Sequence, residues 1–298
     1  VQGPSQGAEG AGRGWRLSAA YDLDLIEAPP GYAWLDQVRP DRDEESLVVG
    51  LVPRRSYVPA YGRRGSGKTF VAIDLACRGA LGLPFLGRES ERFGTIYCVG
   101  EKRARFGKRL EAWRAANPDQ PAPPVCFRWG VPNLLDGESV SAFIAEAEAL
   151  RQDFASRGAP LGLVIFDTLA RALHHANVSD ADAAGTGIEA INRIIQACDV
   201  TVMPLAHVAK AEGSLSLKGA GEWEDAADAV LRIERKEDAP IRSVTVAKQS
   251  DEADGAELGF QLEIVDLGHT AAGRPRTSCI IRPTDLQALQ KPGKRLRG

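Results

Sequence analysis

Residues 62–69 read GRRGSGKT. The spacing is G-x-x-x-x-G-K-[ST], and each residue type in it has a physical reason. Gly62, Gly65 and Gly67 let the backbone wrap closely around an anion. Several N–H groups and the N-terminus of the following helix then point at it. Arg63, Arg64 and Ser66 complete the loop, so the nucleotide-binding set runs from Gly62 to Thr69. Lys68 is placed to contact the β- and γ-phosphates of a nucleoside triphosphate, and Thr69 to hold Mg2+. The flanks agree with this: the apolar run SYVPAY precedes the loop and KTFVAIDLACRGAL, with helical periodicity, follows it. A chance match in a chain of this length is on the order of one in a hundred.

Working outward, apolar runs bounded by Gly or Pro recur at 57–61, 95–99, 125–129, 161–166 and 200–205. Segments of helical period lie between them, at 68–81, 103–116, 139–157 and 187–198. This alternation predicts an α/β fold, a mostly parallel sheet with helices on both faces. After Lys218 four short strand-like runs follow, at 230–234, 243–248, 257–264 and 277–282, with turns at DEADG and GHTAAGRP. They read as antiparallel C-terminal strands of the same sheet. Residues 1–14 read as a mobile leader, 15–45 as an irregular lead-in, 46–285 as the main domain and 286–298 as a basic flexible tail.

The 298 residues are enough for one large domain with a full core. Hydrophobic residues make up 44% and charged residues 26%, which excludes a collagen-like, mucin-like or wholly disordered chain. Lys plus Arg number 37 against 40 Asp plus Glu, a formal net charge of −3, so any nucleic-acid contact depends on local basic patches. There is no apolar run of about 18 residues. The opening residues lack the apolar segment of a secretory signal. The five cysteines are scattered without a CxxC pair, and four lie in apolar segments. Buried free thiols and a cytoplasmic location are the expectation.

Two carboxylates join the loop. LGLVIFDT, 161–168, is an apolar strand ending in Asp167, the acid that orients Mg2+ beside such a cradle. GTIYCVGE, 94–101, is a strand ending in Glu101. If that strand neighbours the phosphate-loop strand, Glu101 reaches the γ-phosphate region and can polarise the attacking water.

Together, YGRRGSGKT, GTIYCVGE, VIFDTLARAL, VMPLAHVAK and SVTVAKQSDEADG resemble the RecA-like P-loop ATPases. Within them they resemble the RepA-like hexameric replicative helicases of plasmids and phages. The resemblance implies one RecA-type domain that assembles into rings, with ATP and Mg2+ between subunits and single-stranded DNA as partner. It implies Glu101 as the catalytic carboxylate alongside Lys68. It implies His207 as a γ-phosphate sensor, with Ala206 where the family often has a second histidine. Lys218 stands where the family has an arginine, and a lysine lacks the bidentate fork. The resemblance therefore points to Lys248, in TVAKQ, as the cation offered to a neighbour's γ-phosphate, with Arg242 ranked below it.

The segment KRARFGKRLEAWR, 102–114, carries six basic residues against Glu111, with Phe106, Leu110 and Trp113 on one helical face. The Gly/Ser-rich stretch 210–221, with Lys210 and Lys218, is the better candidate for a DNA-contacting loop. His174 and His175 are adjacent, but no third metal ligand lies at a recognisable spacing. Two other readings share the phosphate loop: a non-unwinding ATP-dependent DNA-binding or recombination-mediator protein, and a small-molecule kinase.

Overall fold

The computed structural model describes residues 46–174, 176–207, 221–235, 240–249 and 255–286, all within a unit spanning 44–298. The leader, the lead-in, the tail from 287 on, most of the DEADG turn and the stretch 208–220 lie outside the described residues.

A small antiparallel pair comes first, β1 (Ser46–Val48) and β2 (Val52–Pro53), which the sequence reading leaves unassigned. The phosphate-loop strand β3 (Ala60–Gly62) and helix α1 (Lys68–Leu81) follow. Next come β4 (Gly94–Val99), α2 (Arg103–Ala116), β5 (Val125–Trp129), α3 (Gly137–Ser156) and β6 (Leu161–Asp167). Then come α4 (Leu169–Ala172), α5 (Ala181–Cys198), β7 (Thr201–His207), α6 (Gly221–Asp225) and β8 (Ala229–Arg235). Three long strands close the described chain: β9 (Ile241–Gln249), β10 (Glu257–His269) and β11 (Pro275–Pro283).

Nine of these strands form one sheet in the order β11-β10-β9-β8-β3-β7-β6-β4-β5. From β8 to β5 all neighbours run parallel, and β9, β10 and β11 add antiparallel. The expected architecture is therefore present, with one correction. The strand at 229–235 pairs parallel with β3, Ala60 opposite Leu231, rather than antiparallel. The chain leaves the C-terminal end of β7 and passes through α6 before β8, so it crosses back and enters β8 at the opposite end of the sheet, in the direction of β7.

Strand β6 shows why the middle of the sheet is parallel. Each of its residues is buried, as a strand covered on both faces requires. Leu163 and Ile165 join the core with Val71, Leu75, Phe106 and Trp113 of α1 and α2. Val164 and Phe166 join the other core with Phe143 of α3 and Ile191 and Ile194 of α5. Helix α1 is tied to α2 by Asp74, whose carboxylate accepts from Arg78 Nε (2.7 Å) and Trp113 Nε1 (2.9 Å).

The read bounds of α1, α2 and β5 hold to the residue. Helix α5 starts at Ala181, not Gly187, capped by the Asp180 carboxylate accepting from Ala183 N at 3.0 Å. Gly187, inside this helix, is required by packing: a Cβ there would sit 2.6 Å from Cη2 of the buried Trp223. Three cysteines rather than four are buried, because Cys126 and Cys279 lie on the edge strands β5 and β11. All five are free thiols. Among the described residues no helix is long and apolar enough to cross a membrane.

Gly79, in α1, tests this packing. A Cβ there would lie 2.1 Å from Phe93 Cζ, and Phe93 is buried. Gly79→Ala gains about 0.5–1 kcal/mol of helix propensity but overpacks the core at about 1–3 kcal/mol. Urea unfolding should show a lower midpoint with an unchanged m-value; a raised midpoint would contradict the packing.

Candidate active site

The cradle forms because β3 ends against β8. A Cβ at Gly62 would lie 2.0 Å from the Ile233 carbonyl oxygen, so only glycine lets the two backbones approach this closely. Gly67 caps α1 with φ 105 and no side-chain hydrogen bond, a backbone state that disfavours any other residue. The first N–H groups of α1 are thus left without a capping side chain. Arg63, Arg64 and Gly65 are exposed at the crest. Ser66 Oγ is buried inside the loop without a hydrogen-bond partner.

Lys68 is buried. Its ammonium donates to the carbonyls of Gly62 (2.7 Å) and Arg63 (3.1 Å) and lies 3.2 Å from His207 Nδ1. Burial outweighs the attraction of Asp167 and lowers its pKa to about 8. His207 ends β7 directly opposite Gly62. Burial, then the Lys68 charge, lowers its pKa. A neutral ring with Nδ1 as acceptor fits both facts and puts the proton on Nε2.

Thr69 Oγ1 donates to Asp167 Oδ2 at 3.0 Å. Tyr97 Oη donates to the same oxygen at 2.9 Å. Tyr97 is fully buried, and burial followed by the Asp167 charge pushes its pKa well up, so it remains a donor. The sequence reading missed this residue. Its signal was a phenol inside a mostly apolar strand, which must find a polar partner when buried.

Glu101 arrives by a route other than the expected one. Its strand β4 does not neighbour β3, since β7 and β6 lie between them. Instead β4 pairs with β6, Val99 opposite Asp167, and Gly100 N donates to Asp167 O at 2.7 Å. Glu101 follows directly, on the Asp167 side of the site. Its carboxylate is ion-paired with Arg109 of α2, whose guanidinium carbon lies 5.2 Å from the Phe70 ring centroid. Arg109 is thereby removed from the basic patch. So is Arg103, stacked 4.3 Å from the Trp129 ring centroid.

Lys248 is not near its own cradle. It pairs in register with Val230 at the start of β8, whereas the cradle touches Ile233 further along. Its Nζ donates to the carbonyls of Glu224 (3.0 Å) and Asp225 (2.9 Å), at the end of α6. Arg242, ranked below Lys248 from sequence, occupies the cradle edge: its Cδ lies 3.4 Å from where a Gly67 Cβ would be. Lys210, Lys218 and His175 lie outside the described residues. Among the described residues no His, Cys, Asp and Glu cluster could hold a metal.

The residues present fit a nucleotide with Mg2+. The orphaned Ser66 Oγ and the uncapped start of α1 suit phosphate oxygens. Thr69 gives its proton to Asp167, which leaves its oxygen lone pairs for a hard cation.

A family model, AAA_25, described as an AAA domain, matches residues 29–213, which takes in the cradle, Glu101, Asp167 and His207. No curated protein matches the chain. With more than half its length covered by this one model, the chain belongs to the AAA_25 family of AAA domains.

Proposed function

We propose that this chain is a Mg2+-dependent ATPase that works as a homo-oligomeric ring, hexameric as in the RepA-like helicases it resembles. In this reading it acts on single-stranded DNA in plasmid or phage replication. Membership of an AAA-domain family carries the ATPase part, and the convergence of Lys68, Thr69, Asp167 and His207 at the start of α1 supports it. Thr69 and Asp167 would hold Mg2+, which would supply charge neutralisation for phosphoryl transfer. Lys68 and the loop amides meet the same developing charge. Glu101 takes the proton of the attacking water, and its pair with Arg109 has to open for it to do so. His207 touches Lys68, and residues 208–220 follow it directly in sequence, which supports coupling between the phosphate site and a DNA-contacting loop. The lead-in and the tail have no part in this reading.

Lys68→Ala should reduce ATP hydrolysis about a hundredfold or more with an unchanged circular dichroism spectrum. Undiminished turnover would end the ATPase reading. ATPase stimulation by single-stranded DNA, with strand displacement on a forked duplex, would support a helicase. Stimulation without displacement would support a non-unwinding DNA-binding ATPase, and a phosphorylated metabolite a kinase.

The Lys68 pKa gives a signed test. Free Lys68 loses its proton above about pH 8, and bound phosphate favours the protonated form. ATP binding should therefore take up close to one proton at about pH 9 and almost none at about pH 7. Calorimetry in two buffers of different ionisation enthalpy reads this directly; proton release at the higher pH would contradict it.

Lys248 has two competing duties, the carbonyls at the end of α6 and a neighbour's γ-phosphate. Mixing Lys248→Ala subunits with Glu101→Gln subunits separates them. Recovered activity, absent from either variant alone, supports a cation supplied in trans, worth about 10³-fold or more in rate. Failure to recover, with Lys248→Ala less stable to heat, restricts Lys248 to anchoring α6.

A further inference from the structure

Two arginines face each other across β8 and β9 at the cradle end of the sheet. Arg235 and Arg242 are direct cross-strand partners, so their side chains share one face. It is the face of α1, because Ile233 and Val244, alternate neighbours on the same strands, join the core that holds α1. The next residue in this row is Phe260 of β10, opposite Arg242. Phe260 and Arg242 both border Gly67, each 3.4 Å from where its Cβ would lie.

Like charges placed directly opposite each other in a sheet repel. Among the described residues no carboxylate is paired with either arginine. Arg242 is half-buried, its Nε has no hydrogen-bond partner, and only its Nη1 is engaged, with the Pro240 carbonyl at 3.1 Å. Burial, then the charge of Arg235, lowers the Arg242 pKa. Two arginines placed opposite each other, one exposed and one with a buried, unpartnered Nε, beside a phosphate cradle supply the residue type that binds phosphate bidentately.

We propose that Arg235 and Arg242 form a clamp, in the same subunit, on the phosphate chain of the nucleotide held by residues 62–69. The proposal rests on the nucleotide-binding reading above. An anion between the two charges relieves their repulsion, so the clamp raises affinity and links nucleotide occupancy to the β8–β9 pair.

The test uses Arg242→Met and Arg235→Met, which remove the charge, the first keeping an apolar stem against Gly67. A fluorescent ADP titration should show Kd raised about tenfold in each. The nucleotide-free variants should melt about 1–2 °C above the wild type because the repulsion is gone. The ADP-induced rise in melting temperature should shrink. Unchanged ADP affinity overturns the clamp, as does lowered nucleotide-free stability with unchanged Kd, which marks a purely structural role. Loss of single-stranded DNA binding with normal ADP affinity also overturns it and assigns the pair to DNA. Lys68→Ala separates the failures. If wild type binds ADP and Lys68→Ala does not, wild-type-like binding by Arg242→Met sinks the clamp alone. If wild type binds no ADP, both readings fall.

Discussion

One oxygen, Oδ2 of Asp167, organises the site. It accepts the Thr69 hydroxyl from the first turn of α1 and the Tyr97 hydroxyl from the middle of β4. Three elements far apart in sequence are thus registered to about the length of a hydrogen bond. A carboxylate this buried is costly unless its lone pairs are met, and the two hydroxyls meet them. Further along α1, Asp74 repeats the device by accepting from Trp113 of α2. The helix whose N-terminus binds phosphate is therefore held at two points and has little freedom to rotate. That rigidity is what a preorganised phosphate site needs, because stabilisation of developing charge is lost when the donors must reorient.

The charges around this anchor are placed by strand order. Sheet neighbours β7 and β6 separate the cradle strand from β4, and each contributes one polar end group, His207 and Asp167. Glu101 then occupies the third position, one strand further out, paired with Arg109. The sequence of groups from the cradle outward is cation, imidazole, carboxylate, carboxylate. Lys68 and His207 compete for a single proton-rich corner, and burial disfavours charge on both. The lysine keeps its charge below about pH 8 because the Gly62 and Arg63 carbonyls and Asp167 favour it.

What could be read from the chain was local. GRRGSGKT, the helix after it and the apolar strands were legible because loop chemistry and periodicity are written in adjacent residues. Asp167 was legible for the same reason, as a single acid ending an apolar run. Strand order was not, so the adjacency that would bring Glu101 to the cradle was wrong in its route. The parallel pairing of β8 was missed because chain direction depends on a crossover and not on the strand's own residues. Tyr97, Arg109 and Arg242 gained their roles through partners 70, 8 and 175 positions away in sequence. Even the nearest of these, Arg109 with Glu101, crosses from a strand end onto a helix, which periodicity alone does not align. The position of Lys248 within its own subunit was not legible either: β9 is antiparallel, so a residue late in the strand lies at the end away from that subunit's cradle.

That position of Lys248 gives α6 a meaning. A helix of five residues has no stability of its own. This one is held by Trp223, which fills the notch left by Gly187 and donates to the Val178 carbonyl at 3.1 Å. Lys248 holds its other end through two backbone carbonyls, where a cation is electrostatically favoured. Residues 208–220 begin directly after His207 and end directly before Gly221. One end of that stretch is therefore joined to a group touching the phosphate-site lysine, and the other to a helix pinned on the far edge of the sheet. The Lys68–His207 contact and the Lys248 anchor of α6 are thus each fixed by hydrogen bonds of their own, one at each end of the sheet.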